Sequence, residues 1–126
     1  MNVNTNSDKT VLIVEDDFAS AQFFIELLSE FDVNILTSDN GSSTFEILKV
    51  HDVDLVLLDI KLPDTTGFEI IKEIRNLYGD KVKVIAQTAN AYRECSYYEN
   101  AGFDGYLLKP ICTNDFKSLV VNLLSC

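Results

Sequence analysis

The sequence predicts a doubly wound α/β domain, a parallel sheet of five strands with helices on both faces. Three observations carry that prediction. Five short apolar runs recur at regular spacing: Val11–Val14, Val33–Thr37, Leu55–Leu58, Val82–Ala86 and Tyr106–Leu108. Each is followed by a stretch whose apolar residues fall three and four apart, the period of a helix buried along one side. The central run is apolar at every position, as in a strand covered on both faces and unlike the alternation of a half-exposed sheet. Strands and helices in strict alternation imply right-handed crossovers within one parallel sheet.

The elements follow in order. Residues 1–9 are polar and aperiodic, and read as a flexible tail before a domain spanning 10–125. After the first strand and Glu15-Asp16-Asp17, residues Phe24, Leu27, Leu28 and Phe31 share one helical face. The second strand is the most polar of the five, which places it toward a sheet edge. Ser38-Asp39-Asn40-Gly41 is a turn into a helix with Phe45 and Leu48 inward. Beyond the central strand, Thr66 followed by Glu69 is a capping-box signature for a helix presenting Ile70, Ile71, Ile74 and Leu77. Gly79 marks its exit. The fourth strand leads to Gln87-Thr88-Ala89-Asn90, and a less apolar helix through Tyr97 and Tyr98 stops at Gly102, a residue suited to helix ends. The fifth strand closes at Lys109-Pro110, and Phe116, Leu119, Val120, Leu123 and Leu124 form the last helical stripe.

A chain of 126 residues with 47% hydrophobic residues can bury a core of its own. Ten basic against twenty acidic residues give a net charge of −10, which argues against nucleic acid or an anionic membrane as a direct partner. No apolar run is long enough to span a bilayer, and the N-terminal residues lack a signal-peptide pattern. Cys95, Cys112 and Cys126 are odd in number and widely spaced, which fits reduced thiols and a cytoplasmic setting.

All strands of a parallel sheet point one way, so their carboxyl ends share a rim, where open α/β sheets place their chemistry. Those ends carry Asp16 and Asp17, then Asp59, then Thr88, then Lys109. Either first-strand aspartate alone would be read as a helix cap. Joined to Asp59 and Lys109 on one rim, they read as a site. Clustered carboxylates disfavour one another's ionisation, and a hard divalent cation such as Mg²⁺ relieves the conflict. A metal, a carboxylate nucleophile, an ammonium and a hydroxyl are the parts needed to move and hold a phosphoryl group.

With Val14-Glu15-Asp16-Asp17, Leu58-Asp59-Ile60-Lys61-Leu62-Pro63-Asp64-x-x-Gly67, Thr88-Ala89 and Lys109-Pro110 in place, the chain resembles the receiver domains of two-component response regulators. The resemblance covers residues 10–125 and implies the strand order 2-1-3-4-5. It implies that Asp59 accepts a phosphoryl group from a sensor histidine kinase or a histidine phosphotransfer protein. Mg²⁺ is then held by Asp17, by Asp16 through water, by Asp59 and by the backbone carbonyl of Lys61. Thr88 and the Ala89 amide contact the phosphoryl oxygens, Lys109 is their counter-ion, and Lys109-Pro110 is cis. Thr88 and Tyr106 form a switch pair acting on the surface of the fourth helix, fifth strand and fifth helix. Lys61 and Asn90 flank the path of attacking water. Such a domain is no enzyme beyond its own phosphorylation and dephosphorylation. Its target is a downstream protein or an output segment, and self-association stays open. The stretch Ala86–Ala91 is similar to receivers of hybrid sensor kinases. The end at Cys126 fits either a stand-alone regulator or the receiver of a larger chain.

A receiver that docks constitutively without phosphate is the alternative, and the set Asp17, Asp59, Thr88 and Lys109 argues against it. A flavin carrier lacks its phosphate loop here. An aspartyl-phosphate phosphatase needs an acid where Ala19 stands. His51 reads as a solvated residue, Phe18, Phe23 and Phe24 as packing residues, and Tyr92, Tyr97 and Tyr98 as surface or partner-facing aromatics.

Overall fold

The computed structural model describes residues 9–89 and 95–124, apart from the side chains of 95 and 96. Of the sequence expectations, those on residues 1–8, Asn90, Tyr92, the Cys95 side chain and Cys126 lie outside that range. Ten elements alternate: β1 (Thr10–Val14), α1 (Phe18–Leu28), β2 (Asn34–Ser38), α2 (Gly41–Val50), β3 (Leu55–Asp59), α3 (Gly67–Tyr78), β4 (Lys83–Thr88), α4 (Cys95–Ala101), β5 (Gly105–Leu108) and α5 (Thr113–Leu124). The strands pair in parallel in the order β2-β1-β3-β4-β5. The two-sided covering expected from the apolar runs is present, and the polar second strand lies at an edge.

Successive strand residues point to opposite faces, so each strand feeds two cores. Val11, Ile13, Leu55, Leu57, Ile85 and Leu107 pack under α1 and α5 with Phe24, Leu28, Phe116 and Val120. Leu12, Val14, Val56, Leu58, Val84 and Ala86 pack under α2, α3 and α4 with Leu48, Ile70, Ile71, Ile74 and Tyr98. Leu55 to Leu58 are wholly buried, so truncating one of them to Ala costs about 2–5 kcal/mol.

The helix starts are capped by local chemistry. Asp17 accepts from the Ser20 amide, Asn40 from that of Ser43 and Thr66 from that of Glu69. Gly79, at φ 63°, ends α3, and Gly102, at φ 110°, follows α4, conformations that a side chain disfavours. Arg75 ties these two exits together, donating to the carbonyls of Gly79, Val82 and Gly102 and pairing with Asp104 at 2.8 Å.

Several packing expectations need correction. Phe24 is buried, but Phe18 is 78% exposed, and Phe23 and Leu77, the last expected on the inward stripe of α3, are exposed as well. Phe18 opens α1 and Leu77 stands in the last turn of α3, at the ends of their helices, while Phe23 lies about 100° around α1 from the inward Phe24. Phe31 lies beyond the end of α1 and packs on its core from the following turn. Tyr98 is one of the largest fully buried side chains, not a surface aromatic. His51 is exposed at the end of α2, as expected.

Candidate functional site

The rim at the carboxyl ends of β1, β3, β4 and β5 carries the polar cluster, and the backbone decides which side chains enter it. β1 does not stop pairing at Val14: the Glu15 amide donates to the Ser38 carbonyl at 2.9 Å, extending the ladder by one residue. Glu15 therefore stays extended and follows Val11 and Ile13 onto the α1/α5 face, where it is buried at 4% exposure. Asp59 ends β3 on the same face and is 7% exposed. The Lys109 amide donates to the Thr88 carbonyl at 2.8 Å, which likewise carries the β5 ladder past Leu108.

Three carboxylates converge. One oxygen each from Glu15, Asp16 and Asp59 lies within 4.8 Å of the other two. The Lys109 ammonium reaches two of them, Glu15 Oε1 at 3.4 Å and Asp59 Oδ2 at 3.5 Å. Asp59 Oδ1 accepts the Lys61 amide at 3.2 Å, and Glu15 Oε2 accepts the Asp17 amide at 3.1 Å. Burial pushes the Glu15 carboxyl up to about 7, and its hydrogen bond with Asp59 adds to the rise. Three acids facing one ammonium leave excess negative charge. All-oxygen donors at this spacing fit a hard divalent ion such as Mg²⁺.

At the end of β1 the carboxylates that converge are Glu15 and Asp16, one residue before the expected pair Asp16 and Asp17. Asp17 is not in the converging group. Its Oδ2 accepts the Ser20 amide at 2.9 Å and the Ser20 hydroxyl at 2.8 Å, bonds that hold its carboxyl below the usual range. Asp17 is the N-cap of α1, while Glu15 holds the inward position. Three consecutive acids do not reveal by type which pair faces the cleft. The alternation Val11-Ile13-Glu15 is the signal that could have found it.

The other expected residues lie around one cavity of about 740 Å³, whose lining includes Asp59, Lys61, Thr88, Ala89 and Lys109. Asp16, Asp17 and Glu15 line it too, and Phe68 and Tyr98 form an aromatic wall not foreseen from sequence. Thr88 is buried at the end of β4. Tyr106 is half-buried and stacks on Tyr98, with ring centroids 5.0 Å apart and planes 13° from parallel. The Lys109-Pro110 peptide is cis.

The loop after Asp59 is held at both ends. The Gly67 amide donates to the Ile60 carbonyl at 2.7 Å, and a Cβ on Gly67 would lie 2.9 Å from the Asp59 carbonyl oxygen. Only glycine permits α3 to begin that close to the strand. Asp64 accepts the amides of Gly41 and Ser42, bonds that keep its carboxyl below its ordinary range and tie the loop to α2.

Among known proteins, the sequence pattern of the response regulator receiver domain matches residues 11–121. The transcriptional regulatory protein CitT of Bacillus subtilis is 33% identical over 113 residues, covering 88% of this chain and 50% of CitT. The aerobic respiration control sensor protein ArcB of Escherichia coli is 36% identical over 112 residues, covering 87% of this chain and 14% of ArcB. The chain thus spans half or less of the length of these relatives. A CheY-like receiver domain protein from Methanospirillum hungatei superposes with a TM-score of 0.83 at 29% identity, covering 93% of this chain and 94% of that one. The receiver domain of a sensor histidine kinase from Pseudomonas aeruginosa shares the fold at a TM-score of 0.82 and 24% identity, over 94% of this chain and 98% of that one. That structure has a magnesium ion coordinated in its active site cleft.

Proposed function

The chain belongs to the response regulator receiver family, and from that premise we propose that it takes a phosphoryl group onto Asp59 as the input of a two-component relay. The observation that carries this reading is the buried Asp59 carboxylate, grouped with Glu15 and Asp16 and reached by the Lys109 ammonium. In the proposed step an Asp59 oxygen attacks phosphorus, the bond from phosphorus to the donor histidine nitrogen breaks, and the nitrogen keeps its electron pair. Lys109 follows the charge onto the phosphoryl oxygens, while the Thr88 hydroxyl and the Ala89 amide donate to them. Glu15, Asp16, Asp59 and the Lys61 carbonyl would hold Mg²⁺, which neutralises the charge that gathers on the transferred group.

The partners in this reading are a cytoplasmic histidine kinase or phosphotransfer protein and a downstream protein target. The relative ArcB, an aerobic respiration control sensor protein, supports the first. None of the described helices is long and apolar enough to cross a membrane. Phosphorylation would draw Thr88 inward and shift Tyr106, altering the α4–β5–α5 surface.

The test is intact mass after incubation with Mg²⁺ and a small phosphodonor, beside Asp59→Asn. One phosphoryl group on the parent and none on the variant supports the proposal. No adduct on a parent that binds Mg²⁺ favours constitutive docking, and equal labelling of both means another residue is the acceptor.

A further inference from the structure

Gln87 is wholly buried, yet neither its Oε1 nor its Nε2 has a hydrogen-bond partner among the described residues. Buried carboxamides are ordinarily bonded, and one left unmade is costly enough to need an explanation. Its position suggests one. Gln87 stands in register with Asp59 on β3 and Leu107 on β5. Its neighbour at i−2, Ile85, packs under α1 and α5, so alternation puts Gln87 on that face with Glu15, Asp59 and Lys109.

The topology then forces an encounter. Lys109 follows β5 and Asp59 ends β3, and β4 runs between those two strands. Two strand spacings, about 9–10 Å, separate the backbones that the Lys109–Asp59 pair joins. The lysine stem must cross β4 on the α1/α5 face, where β4 presents Gln87. An apolar side chain would serve as a floor without an unmet polar group. At 3.4 and 3.5 Å, the contacts of the ammonium with Glu15 and Asp59 are long for charge-assisted hydrogen bonds.

We propose that Gln87 is a positioning residue for Lys109: its carboxamide takes up the ammonium when a phosphoryl group on Asp59 draws the lysine off Glu15, and holds it over the new charge. The inference rests on the phosphoacceptor reading. Gln87 acts through Lys109 and touches no reacting atom.

The test is a double-mutant cycle on the rate of phosphorylation by phosphoramidate with Mg²⁺, read by intact mass. Gln87→Met, of similar length and apolar, should slow phosphorylation roughly tenfold, the size of one hydrogen bond to a charged group. In a Lys109→Met background the same change should have no further effect. The unphosphorylated Gln87→Met domain should melt higher than the parent, having lost an unpartnered buried amide. Equal slowing in both backgrounds, an unchanged rate, or a lower melting temperature would each overturn the proposal. The Gln87 side-chain amide resonances of the unaltered protein give an independent readout. They should shift on phosphorylation, and unmoved resonances reject the proposal. A parent that gains no mass refutes the phosphoacceptor reading itself, and this inference with it.

Discussion

On the face covered by α1 and α5, the strands finish in Glu15, Asp59, Gln87 and Lys109, a row of polar groups at the mouth of an apolar core. On the face covered by α2, α3 and α4 they finish differently. There Tyr98 stacks between Phe68 and Tyr106, with Tyr97 and Phe103 edge-on around it. The phosphoryl chemistry proposed for the first face needs carboxylates held at fixed spacing, and the switch proposed for the second would pass through large side chains packed ring against ring. Strand alternation sends the two groups to opposite faces, and they meet at the rim, where Phe68 and Tyr98 wall the cavity that holds Asp59 and Lys109. The consecutive residues Gln87 and Thr88 belong to opposite faces, so in the proposed switch Thr88 is the shortest step from one to the other.

Removing the proposed nucleophile should break the polar side outright. Asp59→Asn should take up no phosphoryl group by mass while keeping its fold by circular dichroism; an unfolded variant would mean that Asp59 is structural. On the aromatic side the effect should be on stability. Tyr98→Ala removes a buried ring with four aromatic neighbours, and urea unfolding should show a loss of about 3–5 kcal/mol. Mass labelling of the folded fraction should persist, and a labelling loss as complete as that of Asp59→Asn would erase the distinction between the faces.

Glu15 sharpens the comparison through pH. Its carboxyl titrates near 7 in the fold against 4.5 when unperturbed, so the folded state holds a proton that the unfolded chain has lost between those values. Stability of the metal-free domain should therefore fall as pH rises from 4.5 to 7, by on the order of 2–3 kcal/mol. Glu15→Gln should flatten that slope in melting curves recorded with a chelator, whereas parallel slopes would show that Glu15 is solvated. The smallest effect belongs to Asp17. Asp17→Ala should lower the melting temperature slightly, as a lost helix cap, and leave Mg²⁺ affinity near that of the parent. A Mg²⁺ loss matching that of Asp16→Ala would return Asp17 to the metal site.

The fold was legible because its signals are periodic. Uniformly apolar runs such as Leu55–Leu58 and stripes such as Ile70, Ile71 and Ile74 report burial on two sides and on one. Asp59 and Lys109 were legible because each terminates such a run. Glu15 was not, because the choice among three adjacent acids depends on where the β1–β2 ladder ends, a property of the pairing and not of the residues. Phe18 and Phe23 were misjudged for a related reason: an apolar side chain is buried only where something covers it. Tyr98 was missed because α4 is short and polar around it, so no stripe pointed inward. The lack of a hydrogen-bond partner for Gln87 appears only once its neighbours are in place.

The most direct test of the division between faces, joined through Thr88, is the near-ultraviolet circular dichroism of the domain before and after phosphorylation. The chain has five tyrosines and no tryptophan, so tyrosine packing dominates that signal. The spectrum should change when the parent gains one phosphoryl group by mass, and the Thr88→Ala variant, slower to react but brought to the same mass with excess phosphodonor, should keep its spectrum unchanged. An equal spectral change in Thr88→Ala, or a phosphorylated parent with no change, would contradict the account.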